Sequence, residues 1–253
     1  MTRGARGEII PSREHTFSFE TGGLFRRHVG QAEVLAAPGD AIFFPRQSEY
    51  RTSHPCDGGD RGIGVRVDSE SLDEILDRAG LARRKRAAMV STRALLPPRY
   101  VLRLRRLIAS LEGDEDASLE VDETVLLLLG EATEQMAGSG KAAAERASTR
   151  RAHRRAVDRV IEIVQARLHE KLRLEWIARE VAYSPYHLCR MFKRETGMSL
   201  HQYINRQRLL TTLEKLGETE NLSRLALQVG FASHSHLTMT FRKKFGIAPS
   251  RMR

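Results

Sequence analysis

Cysteine stands at only two of 253 positions, Cys56 and Cys189, too few to staple a fold and without the paired spacing of a structural zinc site. Both are expected as reduced thiols. Long apolar runs are missing as well: the longest aliphatic stretch, Val125 to Leu129, falls far short of the ~18 residues a membrane span needs, so no membrane partner is expected. No apolar stretch follows the arginines of Met1 to Ile10 in the way a secretory signal requires, and the expected compartment is the cytoplasm, at the nucleoid. The histidines of the first half, His15, His28 and His54, form no His-x-His pair, and no nucleophile–base pair is apparent. Neither a metal, nor a cofactor, nor a catalytic residue is therefore expected.

What the chain does have is positive charge, and it is unevenly placed. The net charge is +10, yet residues 1–137 hold 19 basic against 22 acidic side chains, a net of −3, so the rest carries +13. A region that basic attracts polyanions, of which nucleic acid is the usual one. The length suits two domains of ordinary size. Residues 138–149, GSGKAAAERAST, mix small and polar residues without an apolar period and read as a linker, giving domains over 1–137 and 150–253.

In the first domain, short β-branched and aromatic pieces (Phe17 to Phe19, Ala32 to Ala36, Ala41 to Phe44, Gly62 to Val67) are separated by turn formers such as Pro38-Gly39-Asp40. From Ser69 the spacing becomes helical, through Leu72, Ile75, Leu76 and Ala79, then Tyr100, Leu104, Leu107 and Leu111, then Val125 to Leu129. Five successive aliphatics exceed what one helix face buries against a small sheet, so this helix is expected either to self-associate or to be buried all round. Arg83 to Arg86 and the acidic run Glu112 to Asp116 read as solvated surface. Beyond the linker the pattern is helical throughout, with a stripe at Val157, Val160, Ile161, Val164 and Leu168 and a longer helix through Leu200, Ile204, Leu210, Leu213 and Leu216. Ser199 and Gln202 have the spacing of a capping box at the start of that helix.

The informative feature is a repeat. Residues 174–197 and 222–246 follow one pattern at an offset of 48, then 49: Leu174/Leu222, Ile177/Leu225, Ala178/Ala226, Val181/Val229, Tyr183/Phe231, Leu188/Leu237, Phe192/Phe241 and Gly197/Gly246. Each copy reads as a short helix, a turn at Ala182 or Gly230, and a second helix after Ser184-Pro185 or Ser233. The small residue in the first helix and the tight turn are what a helix-turn-helix requires. In the second helix of the first copy, Leu188, Met191 and Phe192 face inward. Tyr186, Cys189, Arg190 and Lys193 stand opposite, flanked by His187 and Arg194. In the second copy Leu237, Phe241 and Phe245 face inward, and Ser235, Thr238, Met239 and Arg242 face out, with His236 and Lys243 beside them. Two copies that both set donor-rich side chains opposite an apolar stripe point to base edges and phosphates. A connecting helix of about 17 residues spans ~25 Å, which suits successive major grooves roughly 34 Å apart.

The stretches SPYHLCRMFKRETGMSLHQYI (184–204), GFASHSHLTMTFRKKFGIAPSRMR (230–253) and LEWIAREV (174–181) resemble the AraC family of bacterial transcriptional regulators over about residues 155–253. The resemblance implies a DNA-binding module whose two recognition helices enter adjacent major grooves. By position, it brings Tyr186, Cys189, Arg190 and Lys193, and His234, Ser235, Thr238 and Met239, to the DNA-facing places. Cys189 and Met239 depart from the polar or basic residues often found there. GQAEVLAAPGDAIFFPRQSEYRTSHP (30–55) resembles that family's cupin-like effector domain, although fewer strands are apparent than a closed barrel needs. The expected fold is therefore α+β, a small cupin-like β domain with following helices and then an all-α domain with two helix-turn-helix units. The expected partners are double-stranded promoter or operator DNA, a small-molecule effector, RNA polymerase and a second copy of the chain. The alternatives are a cupin-type metalloenzyme with a nucleic-acid-binding tail and a nonspecific architectural DNA binder.

Overall fold

A computed structural model describes residues 9–30, 32–56, 59–78, 93–112, 118–138, 147–219 and 221–252. The chain divides into two compact units, Met1–Ala143 and Ala144–Arg253.

Among the described residues the first unit holds eight strands: β1 (Ile10–Pro11), β2 (His15–Gly23), β3 (Phe25–Val29), β4 (Ala32–Ala36), β5 (Asp40–Phe44), β6 (Glu49–Ser53), β7 (Asp60–Val67) and β8 (Arg93–Leu95). They form two antiparallel four-stranded sheets, in the orders β1-β6-β3-β4 and β7-β2-β5-β8. This is more sheet than the sequence suggested. β3 (FRRHV) and β6 (EYRTS) escape a hydrophobic pattern because arginines and a glutamate occupy their alternate positions. Phe25, Val34 and Ala36 from one sheet meet Ile42 and Phe44 from the other, with Tyr50 against them, as the alternation of strand side chains requires. The opposite face of β2 and β5 buries Phe17, Phe19, Ala41 and Phe43 completely or nearly so. Each such phenylalanine contributes roughly 1.5–3 kcal/mol of burial. The turn at Pro38-Gly39-Asp40 closes by an Asp40 N–H bond to Ala37 O at 2.9 Å, and the Asp40 carboxylate accepts from the Ala37 N–H at 3.0 Å.

Three described helices follow or interrupt the strands: α1 (Ser69–Arg78), α2 (Pro98–Glu112) and α3 (Ser118–Gly138). Asp68 caps α1, accepting from the Ser71 N–H at 2.9 Å, the Ser71 hydroxyl at 2.7 Å and the Glu70 N–H at 2.9 Å, bonds that hold its carboxyl below the usual range. α3 packs on β8, α1 and α2. In α3, Leu128 and Leu129 are buried while Leu126 and Leu127 are exposed, so the aliphatic run is neither all buried nor all free. Leu111, expected in the stripe of α2, is also exposed.

The second unit consists of α4 (Ala147–Ala166), α5 (Leu174–Glu180), α6 (Pro185–Thr196), α7 (Leu200–Lys215), α8 (Leu222–Gln228), α9 (His234–Phe245) and a closing 3-10 turn at Pro249–Arg251. At the two ends of the expected linker, Gly138 ends α3 and residues 147–149 belong to α4. Ala147 and the arginines from Arg150 onward are good helix formers, and they outweigh Ser148, Thr149 and the lack of an apolar period. Residues 139–146 lie outside the described residues, as do Arg83 to Arg86 and Gly113 to Asp116 of the two charged runs. The capping box of α7 is present: Gln202 N–H donates to Ser199 Oγ at 3.2 Å, and Ser199 N–H donates to Gln202 Oε1 at 2.9 Å. Within the helices, Val157, Val160, Ile161 and Val164 of α4 and Tyr203, Ile204, Leu209, Leu210 and Leu213 of α7 are buried.

Candidate nucleic-acid interface

The two halves of the repeat share the same turn and the same caps on their second helices. Tyr183 N–H reaches back to Ala178 O at 3.0 Å, and Phe231 N–H to Ala226 O at 2.8 Å, closing the turn between the two helices of each unit. Ala182 and Gly230 both take positive φ there, at 57° and 91°. Ser184 Oγ caps α6 by accepting from His187 N–H at 3.3 Å, and Ser233 Oγ caps α9 by accepting from His236 N–H at 3.1 Å. Both helices end at a left-handed glycine, Gly197 or Gly246, whose N–H bonds a carbonyl four residues back at 2.8 Å. Ala178, Ala226, Leu188, Leu237, Phe192 and Phe241 are all buried to 1% exposure or less, so the apolar face of each second helix is fixed against its own first helix. The other face has no choice but to point outward.

On α6, Tyr186, His187, Cys189, Arg190, Lys193 and Arg194 are all exposed. Tyr186 and Arg190, one turn apart, associate: the guanidinium carbon lies 5.7 Å from the ring centroid and Nη1 donates to the phenol oxygen at 3.4 Å. His187 and Arg194 behave differently from the other four. The His187 ring stacks on Tyr183 at 5.2 Å, and its Nε2 lies 3.5 Å from Nε2 of His153 on α4. Arg194 Nη2 donates to His153 Nδ1 at 2.7 Å and also bonds Glu195. A guanidinium can only donate, so His153 Nδ1 accepts from Arg194 while its Nε2 faces His187. His153 is buried, and sequence reading did not bring it to this site; the only signal was its place one turn ahead of the Val157 stripe.

On α9, His234, Ser235, Met239 and Arg242 are exposed, and Thr238 is half-buried with its hydroxyl 3.3 Å from His234 Nε2. These residues and Lys243 line an open hollow along the helix. His236 is set apart. It is half-buried, its ring edge-on to Phe231 at 5.3 Å, so it buttresses the turn. Phe245, expected to face inward, is only half-buried and is held by ring contact with Phe241 at 4.5 Å.

The second unit is joined through α7. Arg208, on its inner side, donates from Nε to Leu168 O at 3.1 Å and from Nη2 to Glu170 O at 2.8 Å, and burial lowers its proton affinity. Gln207 and Gln165 pair across α7 and α4 at 2.8 Å. In the first unit each histidine of the candidate set has its own partner: His15 accepts from Arg46 N–H at 3.1 Å, His28 meets Ser53 Oγ at 2.9 Å, and His54 meets Asp60. Among the described residues no three metal-ligating side chains cluster, and no helix is long and apolar enough to cross a membrane.

Two helix-turn-helix units on a shared connecting helix, each with its second helix capped, anchored and outward-facing, define a DNA-binding domain. A model of the helix-turn-helix domain matches residues 177–253. Over 95 residues the chain is 38% identical to the multiple antibiotic resistance protein MarA of Escherichia coli K12, covering 37% of this chain and 75% of that protein. It is 29% identical over 102 residues to the regulatory protein SoxS of Salmonella typhimurium, covering 40% and 95% respectively. A solved structure of a transcriptional regulator with an AraC-type DNA-binding domain, from Chromobacterium violaceum, is 28% identical with a TM-score of 0.38, covering 40% of this chain and 90% of that one. The chain belongs to the AraC family and is a DNA-binding transcriptional regulator.

Proposed function

We propose that the protein binds promoter or operator DNA sequence-specifically, with α6 and α9 in successive major grooves. The observation that carries this is the duplicated geometry: two capped helices, each with its apolar side sealed to 0% exposure at Leu188 and Phe192 or Leu237 and Phe241, present their remaining side chains outward. On α6 the direct readers are Tyr186, Cys189 and Arg190, with Lys193 on a phosphate. His187 and Arg194, engaged with His153, set the helix in place and border the groove. On α9 the readers are His234, Ser235, Thr238 and Met239, with Arg242 on a phosphate and His236 holding the turn.

The two helices contribute unequally. Arg190 can give two hydrogen bonds to one guanine, a contact of about 1–3 kcal/mol in discrimination, whereas its counterpart Met239 offers apolar contact with a thymine methyl. Arg190→Ala is expected to erase preference at one or two base pairs, and Met239→Ala to change specificity little. Lys193→Ala should weaken all sequences alike and make the salt slope shallower by about one unit. Binding to a panel of single-base operator variants at two salt concentrations measures all three. Equal relaxation by Met239→Ala and Arg190→Ala would overturn the asymmetry.

The first unit, on this reading, supplies control through a small-molecule effector or through dimerisation, and the bound protein contacts RNA polymerase. Self-association is supported by Leu126 and Leu127, at 53% and 36% exposure on α3 next to the buried pair Leu128 and Leu129. Leu126→Glu with Leu127→Glu should shift the full chain from dimer to monomer in sedimentation. A wild-type protein that stays monomeric at high concentration would remove the interface.

A further inference from the structure

The first turns of α4 carry charges that a helix does not want for its own sake. Arg150, Arg151, Arg154 and Arg155 lie in the first nine residues, and within the helix no acidic side chain precedes Asp158. All four are exposed. Cations run against the dipole at a helix N-terminus, and Arg151 and Arg155, one turn apart, repel each other. Such a cluster costs the helix stability, and an external polyanion offsets that cost.

Its position says which polyanion. His153, between the two arginine pairs, is buried against α6 and touches both His187 and Arg194. Those two residues are seven apart, on one flank of α6, and Arg190 lies about 50° round the helix from that flank toward the outward face. α4 therefore runs along the edge of the face that reads DNA. A major groove is about 12 Å wide, and a helix with its side chains is about 10–12 Å across, so the helix fills the groove. Anything packed along its flank lies over the sugar–phosphate backbone.

We propose that the N-terminal two turns of α4 form a third DNA-contacting element, in which Arg150, Arg151 and Arg155 grip the phosphates that border the groove entered by α6. The contact is to the backbone alone and adds affinity without base preference. It rests on the reading that α6 enters the major groove, and it extends the site beyond the two recognition helices. Arg159, a turn further on, is paired with Glu162 at 3.1 Å and lies outside the grip.

The test uses the full chain on an operator selected from random DNA. The triple variant Arg150→Gln, Arg151→Gln, Arg155→Gln is compared with the same three positions changed to lysine and with Arg159→Gln. The glutamine triple is expected to bind with a salt slope shallower by about 0.9 for each phosphate no longer neutralised, roughly two to three units in all. Hydroxyl-radical protection should vanish along one border of the site while the wild-type base preference is kept. The lysine triple should restore slope and protection, since a point charge suffices for a phosphate, and Arg159→Gln should leave both unchanged. An unaltered slope and footprint in the glutamine triple overturns the proposal. So does a lysine triple as impaired as the glutamine one, which would mean the arginines only hold the fold. Arg190→Ala, measured alongside, reports separately on groove entry: if it alters no base preference, that reading fails whatever the arginine triple shows.

Discussion

Gly230→Ala is expected to be among the most damaging single-methyl additions to the DNA-reading domain, lowering its stability by about 3–5 kcal/mol. Two costs add. The left-handed conformation at φ 91° disfavours any side chain by roughly 1–2 kcal/mol. The new Cβ would also stand 2.4 Å from Leu168 O and 2.8–2.9 Å from the Arg208 guanidinium, in space already taken. The carbonyl is backbone and cannot swing aside. The guanidinium can move only by giving up its bonds to Leu168 O and Glu170 O, which leaves carbonyls unpaired at about 1–3 kcal/mol each. Gly246→Ala is the control, at φ 80° with nothing within 4 Å of the added atom; it should lose about 1 kcal/mol, the conformational cost alone. Thermal melts of the two variants decide the matter. Were Gly230→Ala to melt no lower than Gly246→Ala, the close approach to Arg208 would not govern this turn. The first helix-turn-helix makes the same point from the other side, since Ala182 adopts φ 57° at the equivalent turn and is exposed.

Glu20→Gln should stabilise the first unit in alkaline solution and leave it unchanged in acid. Glu20 sits in β2 with 2% of its surface exposed, and its pKa is raised to about 8. Loss of solvent is the main cause; the bond from Ser18 at 2.6 Å opposes the rise, and the charges of Asp60 and Asp40 add to it. One carboxyl oxygen accepts from the Ser18 hydroxyl, and the other, Oε2, is buried without a hydrogen-bond partner. The folded protein thus prefers the acid form, whose proton the unfolded chain gives up near 4.5. Stability from this group is fully present below pH 4.5 and is lost as pH rises toward 8. At about 1.4 kcal/mol per unit, and with relaxation of the site reducing the ideal sum, the loss is about 2–4 kcal/mol. Urea unfolding at about pH 5 and about pH 8.5 should show that loss in the wild type and its absence in Glu20→Gln. Parallel pH profiles for the two proteins would exclude a buried acid as the cause.

The DNA-reading half was legible because its constraints are local. Caps at Ser184, Ser199 and Ser233, small residues at Ala178 and Ala226, and apolar pairs at Leu188/Phe192 and Leu237/Phe241 all act within a few turns of chain, and their repetition 48–49 residues apart cross-checks each position. What stayed hidden depends on contacts between elements distant in sequence. Nothing local marks Arg208 as the partner of carbonyls 38 and 40 residues earlier, or His153 as the neighbour of Arg194. The sheet unit was harder for the same reason. Arg27 is almost fully buried, its guanidinium donating to Phe43 O and lying 5.1 Å from the Phe44 ring centroid, with its pKa pushed down to about 10 by burial. An arginine facing a core reads from sequence as solvent-facing, so β3 lost its pattern. The face of α6 was legible as a set of outward residues, but the engagement of His187 and Arg194 with His153 was not, because it depends on α4.

α7 is buried along most of its circumference, from Leu200 and Tyr203 through Arg206, Gln207 and Leu210 to Thr212 and Leu213. A tether between two separate readers would show a solvated side; this helix is instead the shared interior of both. Neither reader then owns a core that survives the loss of the other, and the domain folds or fails as a single cooperative body. Removal of α8 and α9 is therefore expected to unfold α6 with them, whereas a change of one exposed side chain on either helix leaves the fold intact.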